Sequence, residues 1–276
     1  MSEHRPRPGA ELPAPAKIGL REVTKSYASR RTTVEAVGPL SVEVGEGEFV
    51  VLLGPSGCGK TTLLNLVAGF EPPTSGEVLV DGRPVTGPGP DRVMIFQEPA
   101  LFPWLTVRDN VCFGLRQHRH LDERERRGIA ERHLALMHLE AFAGACVHEL
   151  SGGMKQRVAL ARALAPEPRV LLCDEPFGSL DALTRERLYG ELQEIHRQTH
   201  TTILFVTHNT REAACLADRV VVLTGRPARV KQVLPNDLPR PRDFYNPRIV
   251  ELASRILDEL KAELDVVGEG SHAGQA

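Results

Sequence analysis

The chain has 276 residues, 41% hydrophobic and 25% charged, with a formal net charge of −2. That balance fits one large globular domain or a domain with a small insertion, and it excludes a disordered, collagen-like or disulfide-framework chain. It also excludes a polytopic membrane protein, which needs apolar runs of about 20 residues, and it gives no basic excess to draw nucleic acid. Residues 1–16, rich in Pro, Ala and Arg, read as a disordered tail with no apolar leader. Ile18, Leu20 and Val23, and then the alternation through 41–44, predict an opening antiparallel sheet. The run 49–53 is continuously apolar, as a strand buried on both faces must be. A Gly-rich turn and a helix over 61–68 follow, then strands over 77–82 and 92–97. Helices are expected over 106–116 and 122–139, as a helical insertion of about 50 residues within 98–150. A helix over 152–165 and apolar strands over 170–173, 202–206 and 219–223, with helices between them, predict a mostly parallel sheet. A Pro-rich turn at 238–242, an amphipathic helix from 247 to about 264 and a Gly-rich end complete the chain.

The strongest chemical signal is Gly54-Pro55-Ser56-Gly57-Cys58-Gly59-Lys60-Thr61, followed by Thr62, set between a buried strand and a helix. The glycines let successive N–H groups turn inward on an anion, and the helix adds its positive end. Lys60 supplies a point charge for the β- and γ-phosphates, and the Thr61 hydroxyl is a Mg²⁺ ligand. The strand over 170–173 ends in Asp174-Glu175. Side chains alternate along a strand, so the two carboxylates diverge. Asp174 is the expected metal-holding acid, and Glu175 the general base that polarises water.

Leu150-Ser151-Gly152-Gly153-Met154-Lys155-Gln156-Arg157 is a Ser-capped helix start, a second place where backbone N–H groups gather. It resembles the signature of the ATP-binding cassette (ABC) family. The resemblance covers roughly residues 18–235 and adds several matches. Gln97 matches the glutamine that contacts Mg²⁺ or the water. Ser179-Leu180-Asp181 matches the loop that crosses a dimer interface. His208 matches the histidine that senses the γ-phosphate, and Tyr27 the aromatic that stacks on adenine.

The implied fold is an α/β P-loop NTPase core with a mostly parallel sheet, an antiparallel β subdomain and a helical insertion. The implied domains are a tail (1–16), the ATPase domain (17–235) and a C-terminal helix with a frayed end (236–276). The implied cofactors are ATP and Mg²⁺. The nucleotide would contact Tyr27, Gly54 to Thr62, Gln97, Ser151, Gly152, Gly153, Asp181 and His208. Lys60, Gln97, Glu175 and His208 would act in hydrolysis, and Thr61, Gln97 and Asp174 on the metal. The family works as a head-to-tail homodimer, with each nucleotide between one phosphate loop and the partner's signature.

Gln97 to Val111 (QEPALFPWLTVRDNV) and Asp237 to Asp243 (DLPRPRD) resemble the ATPase subunits of nitrate, sulfonate and taurine importers. The implied partners are separate transmembrane permease subunits and a substrate-binding protein acting through them, with no nucleic acid. The implied place is the cytoplasmic face of the inner membrane, as a peripheral subunit. Trp104 reads either as part of a groove for a permease helix or as core filling. The competing class is a soluble ABC ATPase without a membrane partner, such as an iron–sulfur assembly factor. A P-loop kinase leaves 150–157 unexplained. Cys58 stands at a helix N-terminus, where a thiol pKa can fall, and reads either as a reactive thiol that ATP protects or as a small residue that simply fits. His196 and His200 read as a solvated helix end, and 116–127 as a mixed-charge surface. Five scattered cysteines predict free thiols.

Overall fold

The structure is a computed structural model that describes residues 16–29, 32–178 and 180–272; the tail assigned to 1–16 lies almost wholly outside the described residues. Two sheets organise it. The first joins β1 (Ile18–Ala28), β2 (Thr33–Val44), β4 (Ser75–Val80) and β5 (Arg83–Pro84) in the order β2-β1-β4-β5, all antiparallel. The second runs β10-β9-β3-β8-β7-β6, from β10 (Val230–Pro235), β9 (Arg219–Leu223), β3 (Phe49–Leu53), β8 (Thr202–Thr207), β7 (Val170–Asp174) and β6 (Arg92–Ile95). Its last five strands are parallel, and β10 closes one edge antiparallel. The strand over 230–235 was not among those predicted.

The apolar runs are explained by burial on both faces. In β3, Phe49, Val51 and Leu53 face one core, shared with the helices α4 (Gly152–Leu164), α5 (Ala182–Thr199), α6 (Thr210–Leu216) and α7 (Pro247–His272). Val50 and Leu52 face a second core, built with α1 (Lys60–Ala68) and the antiparallel sheet. Neither face meets water, so no polar alternation survives in the sequence. Between β6 and α4 lie α2 (Val107–Leu115) and α3 (Glu123–Leu136), each capped at its start, by Thr106 and by Asp122 in a capping box. The Pro-rich turn fastens the last helix to the sheet. Arg242, nearly buried, donates to Asp218 and to the Ala217 and Leu238 carbonyls, while Asp218 accepts from the Phe49 N–H. Among the described residues no helix is long and apolar enough to cross a membrane, and all five cysteines are free thiols.

His196 departs from the sequence reading. It is buried, edge-on to Phe49 at 5.5 Å, with Nε2 3.0 Å from the Gly47 carbonyl. Helix α5 turns this face inward, and sequence spacing alone did not show which face was covered. Burial, reinforced by Arg240, lowers its pKa from 6.5 to about 4. The unfolded chain therefore takes up a proton below pH 6.5 that the folded chain refuses. Stability present above pH 6.5 is lost as pH falls towards 4, by about 2 kcal/mol between pH 7 and 5. Urea unfolding at these two pH values is expected to show that difference, and His196→Gln to shrink it.

Candidate functional site

Strand register builds the site. Leu53 pairs with Thr207, Val206 with Asp174, and Cys173 with Ile95. The residues just beyond these pairs are Gly54, His208, Glu175 and Gln97, so four separate segments end along one carboxyl edge of the sheet. Such an edge is where open α/β sheets bind ligands.

Between β3 and α1 the chain makes a tight loop with Ser56 and Gly57 exposed at its tip. Gly57 has φ +72° and Gly59 φ +118°, and a Cβ on Gly59 would stand 2.5 Å from the Ala36 carbonyl oxygen. Lys60 is 5% exposed and donates to the Gly54 and Pro55 carbonyls, both at 2.8 Å. Those bonds take two of the three ammonium donors and hold the charge inside the loop. The Thr61 hydroxyl donates to Asp174 Oδ1 at 3.2 Å. Burial raises the Asp174 carboxyl above its usual range, the adjacent Glu175 adds to this, and Thr61 and Lys60 oppose it. A partly desolvated carboxylate beside a hydroxyl offers hard oxygen donors, the set a Mg²⁺ ion takes.

Glu175 turns away from Asp174. Its φ is +44°, an uncommon left-handed backbone for a residue with a Cβ. The turn is held by its N–H on the Val206 carbonyl (3.0 Å) and by the Gly178 N–H on its own carbonyl (3.1 Å). Its Oε2 lies 2.9 Å from His208 Nδ1. The exposed Gln97 amide comes to the same place, near Gly178. The two carboxylates thus diverge, but through the left-handed turn at Glu175, just past the end of β7, rather than through strand alternation.

Tyr27 sits in β1, half-exposed beside Thr62; its hydroxyl donates to Glu71 Oε2 at 2.7 Å. Lys25 and Asn65 also reach Glu71. Ser151 caps α4 by accepting from the Met154 N–H (3.3 Å). Gly152 and Gly153 pack against Leu180 and Thr184 rather than against the phosphate loop. Asp181 caps α5 through the Thr184 N–H (3.0 Å), a bond that lowers its carboxyl pKa. Within one chain the two clusters of free N–H groups are therefore separate surfaces. Ser179 lies outside the described residues.

Cys58 is the small residue that fits, not a reactive thiol. Its side chain is 2% exposed and packs against Gly54, in the core that also holds Leu223. Burial raises its thiol pKa, and Lys60 and Arg226 only partly offset this. Only its backbone can serve an anion. Trp104, 77% exposed, fills no core. The 98–106 segment is rigid all the same. Asn110 Nδ2 donates to the Phe102, Leu105 and Thr106 carbonyls, and Arg162 of α4 donates to the Pro99 and Ala100 carbonyls. Beside it lies a groove of about 320 Å³ lined by Phe96, Pro99, Phe102, Phe113, Ala159 and Pro166.

Two neighbours of the site carried no motif. Arg226, just past β9, donates through Nε and Nη2 to the Gly57 carbonyl at 3.1 and 2.7 Å. Glu71, the anchor of Tyr27, lies just beyond α1. Arg226 reaches the loop because β9, the strand before it, pairs with β3.

Several known proteins resemble this chain. The family model described as ABC transporter matches residues 37–178. A taurine import ATP-binding protein of Burkholderia thailandensis is 45% identical over 262 residues, covering 91% of this chain and all of the relative. A bicarbonate transport ATP-binding protein of Synechococcus elongatus is 47% identical over 247 residues, covering 87% of this chain and 37% of the longer relative. Among solved structures, a dimeric ATP-binding cassette in a post-hydrolysis state, bound to ADP and phosphate, superposes with a TM-score of 0.71 at 32% identity, covering 79% of this chain and 98% of that one.

Proposed function

The chain belongs to the ABC transporter family, and from that membership we propose that it is the ATP-hydrolysing subunit of an importer for a small anionic solute. The observation that carries the chemistry is the meeting of Lys60, Thr61, Asp174, Glu175 and His208 on one sheet edge. We assign residues 17–235 to the ATPase domain, with a helical subdomain over about 98–150 and a C-terminal helix beyond.

Lys60 and the loop N–H groups of 54–62 bind the phosphates. Tyr27, pinned by Glu71, offers its ring to the base. Thr61, Asp174 and Gln97 would hold Mg²⁺, which when bound neutralises phosphate charge and orients the γ-phosphate. Glu175 orients and deprotonates the attacking water, and His208 holds Glu175 in line and faces the γ-phosphate. Positioning and fixed electrostatics do most of the work. A second copy supplies Ser151, Gly152, Gly153 and Asp181 across the nucleotide. This part of the reading is supported by their separation from the phosphate loop within one chain and by the dimeric cassette it resembles.

The rigid link from α4 through Arg162 to the 98–106 segment ties the signature helix to the groove beside Trp104. A permease helix seated there would feel the two copies open and close, and would hold the subunit at the cytoplasmic face of the membrane. The exposed Trp104 and the apolar groove favour this over an ATPase without a membrane partner. Taurine or bicarbonate fits the relatives, and nitrate or another sulfonate fits the resemblance of 97–111 and 237–243, with the solute delivered to the permease by a binding protein. The test is co-purification with its permease. Wild type is expected to retain the permease, and Trp104→Asp to weaken retention more than tenfold, because a buried interface Trp contributes about 2 kcal/mol or more. Equal retention by both would remove this groove as the docking site.

A further inference from the structure

A cavity of about 40 Å³ lies beside the Glu175–His208 pair, lined by Glu175, Arg185, Thr207, His208, Asn209 and Glu212. Glu212 is in the first turn of α6 and 4% exposed. Its Oε2 accepts from the Thr207 hydroxyl. Its Oε1 has no hydrogen-bond partner among the described residues, and neither do the buried Tyr189 hydroxyl and Arg185 Nε nearby. The Thr207 hydroxyl in turn accepts from the Asn209 N–H at 3.0 Å. The Asn209 side chain accepts from the Arg211 and Glu212 N–H groups, at 3.0 and 3.2 Å. Both residues flanking His208 are thus tied to Glu212.

A buried carboxyl is an expensive way to fill a core, and the next four residues of α6 are small or apolar and buried. Packing alone gives no reason for an acid here. We infer that Glu212 is a positioning residue for the Glu175–His208 pair, acting through Thr207 and Asn209 to fix the backbone turn that aims His208. This rests on the roles proposed above for Glu175 and His208.

The protonation state of Glu212 decides which variant preserves the arrangement. Burial pushes its carboxyl up to about 7; Thr207, Arg185 and Tyr189 pull it back, while Glu175 adds to the rise. Cys173 of β7 and Cys215 of α6 also face it, and burial raises both thiols. Near neutrality a large share of Glu212 is therefore uncharged, with one acceptor and one donor. Gln has the same shape and the same pair of groups.

The test uses the full chain and its permease complex, with kcat and KM for MgATP and the ring signals of labelled His208. Glu212→Ala is expected to lower kcat at least tenfold, as loss of a buried hydrogen-bond partner does, with KM within about twofold, and to shift or broaden the His208 signals. Glu212→Gln is expected to keep more than half of kcat and leave those signals in place. Thr207→Val, which breaks the link at nearly constant volume, is expected to follow Glu212→Ala and carries the test should that variant not fold. Wild-type kcat and unmoved His208 signals in Glu212→Ala would overturn the inference, as would equal loss in Glu212→Ala and Glu212→Gln. Full turnover in Glu175→Gln would instead sink the hydrolytic reading, with the His208 signals still deciding the role of Glu212.

Discussion

Glu175→Gln is expected to slow ATP hydrolysis by about two to four orders of magnitude, the range for loss of a positioned general base, while ATP still binds and holds two copies together. The physical reason lies in what the substitution keeps and what it removes. An amide has the shape of the carboxylate and still accepts from His208 Nδ1, 2.9 Å away in the present pair. It cannot take a proton from water. Glu175 touches neither Lys60 nor Thr61, whose partners are the Gly54, Pro55 and Asp174 oxygens, so the phosphate contacts survive. The closed state then accumulates because the reaction that releases it is blocked. Single-turnover phosphate release and light scattering with and without ATP read the two halves of the expectation. Full turnover in this variant would take the base role away from Glu175.

Lys60→Ala is expected to weaken MgATP binding by at least tenfold and as much as several hundredfold. Two losses add. A charge-assisted hydrogen bond to phosphate contributes about 1.5–3 kcal/mol net, and every 1.4 kcal/mol is tenfold in affinity. The ammonium also pins the loop through two carbonyls at 2.8 Å. Without it those carbonyls face an anion with nothing between them, and the loop must be ordered by the ligand itself. Titration calorimetry checks the affinity, and thermal unfolding separates it from loss of fold. Unaltered affinity would refute the cradle.

The legible parts of this chain were those where one local pattern has one physical meaning. A wholly apolar 49–53, a loop with glycines at fixed offsets and a helix after it specify a strand, a turn and a helix without help from elsewhere. That Asp174 and Glu175 diverge was legible at the strand end, although the turn that achieves it, a left-handed backbone at Glu175 just past β7, was not. What was not legible depends on which segments become neighbours. Nothing near residue 226 announces that its guanidinium will sit on the Gly57 carbonyl, and nothing near 71 announces an anchor for Tyr27. His196 was misread, and Cys58 left between two readings, for the same reason. Their types suit an exposed helix end or a reactive thiol, and only the packing of Phe49, Gly54 and Leu223 around them takes them out of water. Trp104 is the reverse case: a residue type that usually fills cores stands in solvent, because Asn110 and Arg162 hold its loop from beneath.

In the proposed function, two copies of this chain turn ATP cleavage into movement of a membrane partner. Phosphate release by the chain assembled with its permease in lipid vesicles tests it most directly. The expected result is Mg²⁺-dependent release that slows by about two to four orders of magnitude with Glu175→Gln and rises when solute-loaded binding protein is present. Assembled complexes that leave ATP intact under those conditions would contradict it.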